Sequence, residues 1–392
     1  MRIRKARPER FGAMVATEDP PALIAVDRPM ARRIGIEGGS LWIGDDPGLS
    51  LPVLEGPTEV HLAVTDRCPA GCTACYADAT PQGHEPTLDE LRSRLDRLAE
   101  AGAFSVALGG GEGSLRADLP EVIAHARSVG LVPTLTTSGL GITPARAAAL
   151  SDMAQINVSW DGPAELYASV RGYDGARGAE RAVRVLQDAG IPVGLNTVLT
   201  ERTLAGLDAI GEGAERLGAV ELQLLRLKPS GRGKLHYLAL RPSPAKLAEL
   251  PEHLERLSAR GSFAVRVDCA LVPFLAGSFD VARLQQFGVN GCEAGRSLMT
   301  VGAAGAVGPC SFWGSADVAL DERSWAEDPT LEAFRAYAQD PPEPCASCPA
   351  GAVCRGGCRI VSRHLAGDAF VPDPECPRVR AHGSGNDRSE AT

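Results

Sequence analysis

Cysteines carry the chemistry of this chain. Cys68, Cys72 and Cys75 stand at a C-x3-C-x2-C spacing. Thiolates are soft ligands that suit iron–sulfur clusters and zinc. A cubane [4Fe–4S] cluster has four irons and normally takes four cysteines. A triad with no fourth cysteine nearby therefore has three readings: a zinc site short of a ligand, a set of buried thiols, or a cluster with one iron left open for another molecule. Structural zinc sites favour paired C-x2-C elements that close a set of four, so the spacing favours the open cluster. The other eight of the eleven cysteines lie between 269 and 376. They include Cys345-x2-Cys348-x5-Cys354-x3-Cys358-x17-Cys376, preceded by Cys269, Cys292 and Cys310. A pair of zinc ribbons needs two C-x2-C knuckles, and this region has one.

Elements that could position the triad surround it. Val60–Val64 is a short apolar run leading straight into the cysteine loop. Further strands are predicted at Phe104–Leu108, Val132–Thr136, Ile156–Trp160, Val193–Thr197 and Glu221–Leu227. Between them run helical patterns: Thr87-Leu88-Asp89-Glu90 is a capping box, and Thr143-Pro144 places proline at a first helical position. Strands alternating with helices imply βα units around a parallel sheet. Six units are fewer than the eight of a closed barrel, so the fold class is α/β, a partial (βα)6 TIM-like barrel followed by a loop-rich C-terminal iron–sulfur domain. Ligands bind at the C-terminal strand ends of such sheets. The cysteine loop, Gly109–Glu112, Ser159, Asn196 and Arg226 are expected to face that mouth.

The divisions are an N-terminal extension with a strand at Ala22–Val26 (1–56), the barrel (57–240), a linker helix (241–261), the cysteine-rich domain (262–380) and a disordered tail (381–392). Residues 262–380 are expected to lack a large apolar core, so that bound metal supplies folding energy. The chain carries a formal charge of −9, which argues against general nucleic-acid or anionic-membrane binding. No apolar run approaches the roughly 20 residues that span a bilayer. No apolar signal region follows Met1–Lys5, so a cytoplasmic location is expected, where clustered cysteines more often bind metal than pair.

The triad after the first strand of an incomplete barrel resembles the radical S-adenosylmethionine (SAM) superfamily, over about residues 57–240. The resemblance implies that Cys68, Cys72 and Cys75 hold a [4Fe–4S] cluster whose fourth iron is chelated by SAM. Reductive cleavage of SAM then yields a 5′-deoxyadenosyl radical that abstracts hydrogen from a substrate. The family often has an aromatic before the third cysteine; here Ala74 stands there and Tyr76 follows the triad. Gly110, Gly111 and Glu112 match the family's Gly-Gly-Glu-Pro motif, with Gly113 in place of proline. By the same resemblance Ser159 contacts ribose or carboxylate and Asn196 the adenosine side. Arg171 is a carboxylate partner or, equally, a structural ion pair.

The later cysteines resemble the SPASM domain, which implies two auxiliary clusters. Cys345, Cys348, Cys354 and Cys376 would hold the distal one, and Cys292, Cys310 and Cys358 the inner one. Counting leaves Cys269, either as the fourth inner ligand or as a buried thiol beside an open iron. The resemblance implies SAM and three [4Fe–4S] clusters as cofactors, and a flavodoxin- or ferredoxin-type electron donor. Members with two auxiliary clusters mostly modify peptides, so the first expectation is a maturase of a ribosomally made precursor peptide that forms a thioether or carbon–carbon crosslink or oxidises a residue. The 56 N-terminal residues are short for a complete leader-recognition domain, which points to a separate recognition protein or a truncated element. The second expectation is a dehydrogenase or epimerase of a sugar or amino acid, and the third a non-catalytic metal scaffold. Asp161, Glu112 and Asp268 are acidic residues near the mouth, and the sequence does not choose a general base among them. The basic loop Lys228–Lys234 reads as a solvated strand exit or as a partner for carboxylates.

Overall fold

The computed structural model describes residues 2–47, 53–289, 291–314, 319–321 and 323–389. The chain opens with an antiparallel meander of β1 (Ile3–Glu9), β2 (Gly12–Glu18) and β3 (Pro21–Asp27). Arg7 fastens it to the rest by donating to the carbonyls of Pro57 and Gly102 at 2.7 and 2.9 Å.

The main sheet takes the six predicted strands as β4 (Glu59–Thr65), β5 (Ser105–Gly110), β6 (Val132–Thr137), β7 (Gln155–Ser159), β8 (Val193–Leu199) and β9 (Glu221–Arg226). Three more follow: β10 (Ala264–Val267), β11 (Leu298–Val301) and β12 (Val307–Gly308). The order is β10-β9-β8-β7-β6-β5-β4-β11-β12, with neighbours parallel except β11 and β12.

Period-two patterning sorts the two faces of this sheet. Val60, Leu62, Val64, Val106, Leu108, Leu135, Ile156, Val158, Leu195, Leu222 and Leu224 are buried on the face that meets the helices. The opposite face carries His61, Thr134, Thr136, Gln155, Asn157 and Gln223, all partly exposed. A closed eight-stranded barrel fills its interior with side chains; here the inner face carries polar, partly exposed ones.

The C-terminal region departs from expectation in three ways. The predicted 243–260 helix is two, Pro244–Ala248 and Leu250–Ala259, because Pro251 supplies no N–H to continue the ladder. It is no free linker, since Leu247, Leu250, Leu254 and Leu257 are buried in the main core. Leu271, Val272, Leu275, Leu284, Phe287, Met299 and Val301 join that core too, so residues 262–380 do bury apolar surface. Their strands of two to four residues are too short to reveal a period. The predicted tail instead continues the helix Pro377–Ser389, and residues 390–392 lie outside the described residues.

Candidate functional site: three cysteine sets around the barrel mouth

The triad sits in the loop that leaves β4, and backbone contacts from two sides fix that loop. The Cys68 N–H donates to the Thr80 carbonyl at 2.9 Å, and the Thr73 N–H to the Arg171 carbonyl at 3.0 Å. From the other side comes the loop after β9. The Gly233 N–H donates to the Cys75 carbonyl at 3.3 Å, and Ser230 Oγ to the Tyr76 carbonyl at 3.0 Å. Arg232 donates to the Cys72 and Ala79 carbonyls at 3.3 and 2.9 Å and to Asp78 at 2.9 Å. Gly231 has φ +53°, and a Cβ there would lie 2.5 Å from the carbonyl oxygens of Cys75 and Tyr76, so only glycine fits. The basic loop is therefore a brace for the cysteine loop, not a solvated strand exit.

The predicted SAM contacts gather at the strand ends, with one exception of role. Gly110 (φ +102°) and Gly111 run so close to the β4 exit that a Cβ would meet the Thr65 and Arg67 carbonyl oxygens at 2.3 and 2.2 Å. The Gly111 and Glu112 N–H groups donate to those same carbonyls at 2.6 and 2.8 Å. This leaves the glycine backbone, free of side chains, along the mouth. The Glu112 carboxylate faces away from a ligand. It is buried and accepts from Thr137 Oγ1 at 2.6 Å, Ser114 Oγ at 2.8 Å, the Ser138 N–H at 2.8 Å and the Ser138 hydroxyl. Its work is to tie the glycine turn to the end of β6.

Ser159 and Asn196 are register partners on β7 and β8 and are both nearly buried. Asn196 Oδ1 has no hydrogen-bond partner in the chain. An orphaned acceptor of this kind costs about 1–3 kcal/mol unless a ligand donor or water completes it, which fits a cofactor at this strand edge.

Arg171 donates to Asp161 Oδ2 at 2.6 Å, while Asp161 Oδ1 accepts from the Val198 N–H at 2.8 Å. The ion-pair reading of Arg171 is thus the one realised. Burial opposes its charge, but Asp161, Tyr167 and Cys72 outweigh it and hold the guanidinium above its ordinary range.

Of the other two acidic candidates, Glu112 is filled as described. Asp268 is buried against Lys228 and also accepts from the Arg226 and Ala270 N–H groups at 3.1 Å each. Burial alone would raise its pKa, yet Lys228 holds it below the ordinary carboxylate range. Lys228 in turn stays at about 12 despite its burial, because Asp268, Cys269 and Cys358 favour its charge.

All eleven thiols are free, and electrostatic coupling divides them into three sets. Cys68 feels Cys72 and Cys75. Cys269 and Cys310 each feel Cys292 and Cys358. Cys345 feels Cys348 and Cys376, and Cys354 feels Cys345 and Cys376. Cys345, Cys348, Cys354 and Cys376 also line one cavity. Burial first, and then neighbouring thiols, push Cys310 and Cys354 up to about 12 and Cys345 to about 11. Thiols so placed ionise only when a cation of high charge binds them. Among the described residues no three His, Cys, Asp or Glu side chains converge on a single-ion position. The donor sets suit multi-iron groups, whose ligands sit on separate irons.

Two features of the site were missed by sequence reading. Arg226 does not face the mouth. It donates to Asp373 at 2.5 and 3.2 Å, to Glu375 at 2.8 Å and to the Ala270 carbonyl at 2.9 Å, all buried. Asp373 also accepts from the Cys358 N–H at 3.1 Å. The barrel is thereby riveted to the C-terminal cysteine domain. The sequence signal was present, two acids immediately before Cys376, but nothing in it named their partner. Second, His61 on the inner face of β4 meets Ser311 Oγ at 2.7 Å, 250 residues away in the chain, and Glu59 Oε1 at 2.8 Å.

A thiol triad at the exit of the first strand of a parallel, open α/β barrel, with a bare glycine edge beside it, defines a class. The family model described as the Radical SAM superfamily matches residues 62–208, and the chain belongs to that superfamily. The PqqA peptide cyclase of Ruegeria pomeroyi is 30% identical over 351 residues, covering 86% of this chain and 91% of that protein. The PqqA peptide cyclase of Methylocella silvestris is 28% identical over 338 residues, covering 82% and 87%. The fold is similar to that of Streptococcus suis SuiB in its crystal structure bound to precursor peptide SuiA. The TM-score is 0.72 at 16% identity, over 95% of this chain and 98% of that one.

Proposed function

We propose that this protein modifies a ribosomally made peptide by radical SAM chemistry. The observation that carries the reading is the similarity to PqqA peptide cyclases, which extends over 86% of the chain and so reaches well beyond the barrel segment at 62–208. When bound, SAM and the triad's cluster supply a 5′-deoxyadenosyl radical. Cys68, Cys72 and Cys75 hold three irons and leave the fourth to SAM. Gly110 and Gly111 offer backbone to its methionine end, with Tyr76 beside them. Ser159 and Asn196 take its ribose and adenine side, and Asn196 Oδ1 accepts the hydrogen bond that the chain itself leaves unmade. Arg171, neutralised by Asp161, holds the cysteine loop in place through its carbonyl. The polar inner face of the sheet receives the substrate.

Cys269, Cys292, Cys310 and Cys358 hold an inner auxiliary cluster, and Cys345, Cys348, Cys354 and Cys376 a distal one. Clusters held there would supply an acceptor for the electron that a net oxidation of the peptide releases. A flavodoxin- or ferredoxin-type protein supplies the priming electron, and a separate protein assists in presenting the peptide's leader. The outer edge of β3 is unpaired in the described sheet, with Leu23 and Ile24 exposed, and an extended segment can add to such an edge. Among the described residues no helix is long and apolar enough to cross a membrane; reducing cytoplasm suits the eleven free thiols.

The test is anaerobic reconstitution with a short peptide encoded beside this gene. Expected are about 12 irons per chain, three four-iron clusters, formation of 5′-deoxyadenosine, and a peptide lighter by two hydrogens in mass spectrometry. Deoxyadenosine formation with no change in any candidate peptide, alongside turnover of a sugar or amino acid, would overturn the peptide reading.

A further inference from the structure

Two aromatic rings join the triad loop to the inner auxiliary set. Tyr76 follows Cys75 directly in the chain. Its ring lies against Phe312, centroids 5.0 Å apart and planes tilted by 45°. Phe312 comes two residues after Cys310. Both rings are half-buried. From Cys75 to Cys310 the route thus runs along the main chain to Tyr76, across one ring contact, and back along two residues of main chain from Phe312.

A third group tunes the contact. The Lys228 ammonium lies 4.2 Å from the centroid of the Phe312 ring. It is buried, paired with Asp268, and feels Cys269 and Cys358 of the same inner set. A cation over a ring is attracted by its electrons and makes removing one of them harder. The ring is then protected from oxidation and serves as a medium for an electron, not as a stopping place. Simple packing needs neither the buried cation nor two rings that follow cysteines of different sets in the chain.

We propose that Tyr76 and Phe312 form the electron path between the cluster held by Cys68, Cys72 and Cys75 and the one held by Cys269, Cys292, Cys310 and Cys358. One electron leaves one cluster and arrives at the other; no bond forms or breaks and no proton moves. The inference rests on the three-cluster reading above.

Its test separates the two. Reconstituted full-length protein, without SAM or peptide, is mixed with one equivalent of a one-electron reductant and frozen at intervals for electron paramagnetic resonance. The variants are Phe312→Leu, Phe312→Tyr as the ring-retaining rescue, and Tyr76→Leu. The expected result is that the electron's distribution over the clusters settles as fast in Phe312→Tyr as in the parent. In Phe312→Leu and in Tyr76→Leu it settles slower by an order of magnitude or more, with iron and sulfide per chain unchanged. Unslowed settling in a leucine variant that keeps its full iron overturns the path. Should Phe312→Leu shed iron, Tyr76→Leu decides from the other ring. A parent protein with only about four irons per chain, one cluster, overturns the three-cluster reading itself, and the path with it.

Discussion

Replacing Arg226 by methionine would remove the rivet between the barrel and the C-terminal cysteine domain while keeping side-chain bulk. Arg226 is 5% exposed, Asp373 0% and Glu375 7%. The guanidinium makes contacts at 2.5, 3.2 and 2.8 Å to the two carboxylates, so the variant leaves two buried anions facing each other across an apolar gap. Removing one partner of a buried pair costs about 3–5 kcal/mol, a large part of the roughly 5–15 kcal/mol that a domain has. Glu375 keeps Tyr237, 2.7 Å away, and Arg241, which sets the expectation at the lower end.

The pH dependence supplies a sign as well as a size. Burial raises the Asp373 pKa, but Arg226 outweighs it and the folded value lies below the ordinary one. A depressed carboxylate contributes stability above its unfolded pKa, about 3.9, and loses it as pH falls through the folded value. The parent should therefore weaken on acidification below about pH 4. Without Arg226 the burial term is uncompensated, the folded pKa rises, and the variant should be weak near neutrality and recover part of the loss on mild acidification. The assay is anaerobic urea unfolding of the reconstituted protein at several pH values, with iron counted per chain. An unchanged midpoint and an unchanged acid slope in Arg226→Met would refute the argument. Adding Asp373→Asn and Glu375→Gln to the variant should restore most of the midpoint, since the stranded charges are then gone.

Changing Cys68, Cys72 and Cys75 together to alanine should abolish 5′-deoxyadenosine formation and leave about eight irons, two four-iron clusters, as read by iron and sulfide analysis. Arg232→Ala removes three donors from the cysteine loop. It should lower iron at the first site and weaken SAM binding, with the auxiliary iron retained; a parent-like SAM titration would count against the brace. Glu112→Gln puts an amide where four donors converge, costing about 1–3 kcal/mol, which calorimetry should register as weaker SAM affinity with intact iron.

The six central strands were legible as runs of five to seven residues rich in apolar side chains, four of which end in glycine, serine or threonine. β10 and β11 were not, since Ala264–Val267 and Leu298–Val301 are four residues each and their pairing with β9 and β4 joins segments distant in the chain. The grouping of the cysteines came from count, spacing and the family resemblance together. What escaped was the partner of each long cation, because Arg226, Arg171 and Arg232 look alike in a sequence, and only burial and distance decide which one meets a carboxylate and which a carbonyl. Glu112 illustrates the same limit in reverse: its motif was read, but the direction of its side chain depends on Thr137 and Ser138, two strand residues with no signature of their own.

These cations explain why the segment leaving β9 is basic. Over seven residues it presents Arg226 to Asp373, which bonds the Cys358 N–H and whose charge is felt by Cys345, Cys354 and Cys376. It presents Lys228 to Asp268, within reach of Cys269 and Cys358, and Arg232 to the carbonyl of Cys72. One strand end therefore touches all three cysteine sets. Eleven thiolates and the nearby carboxylates gathered at one edge of a barrel would repel one another strongly in a medium of low dielectric. Buried cations placed beside them lower that repulsion. The same residues fix the loops' relative positions, so the charge balance that lets the sets ionise and the geometry that holds them together have a single origin in residues 226–232.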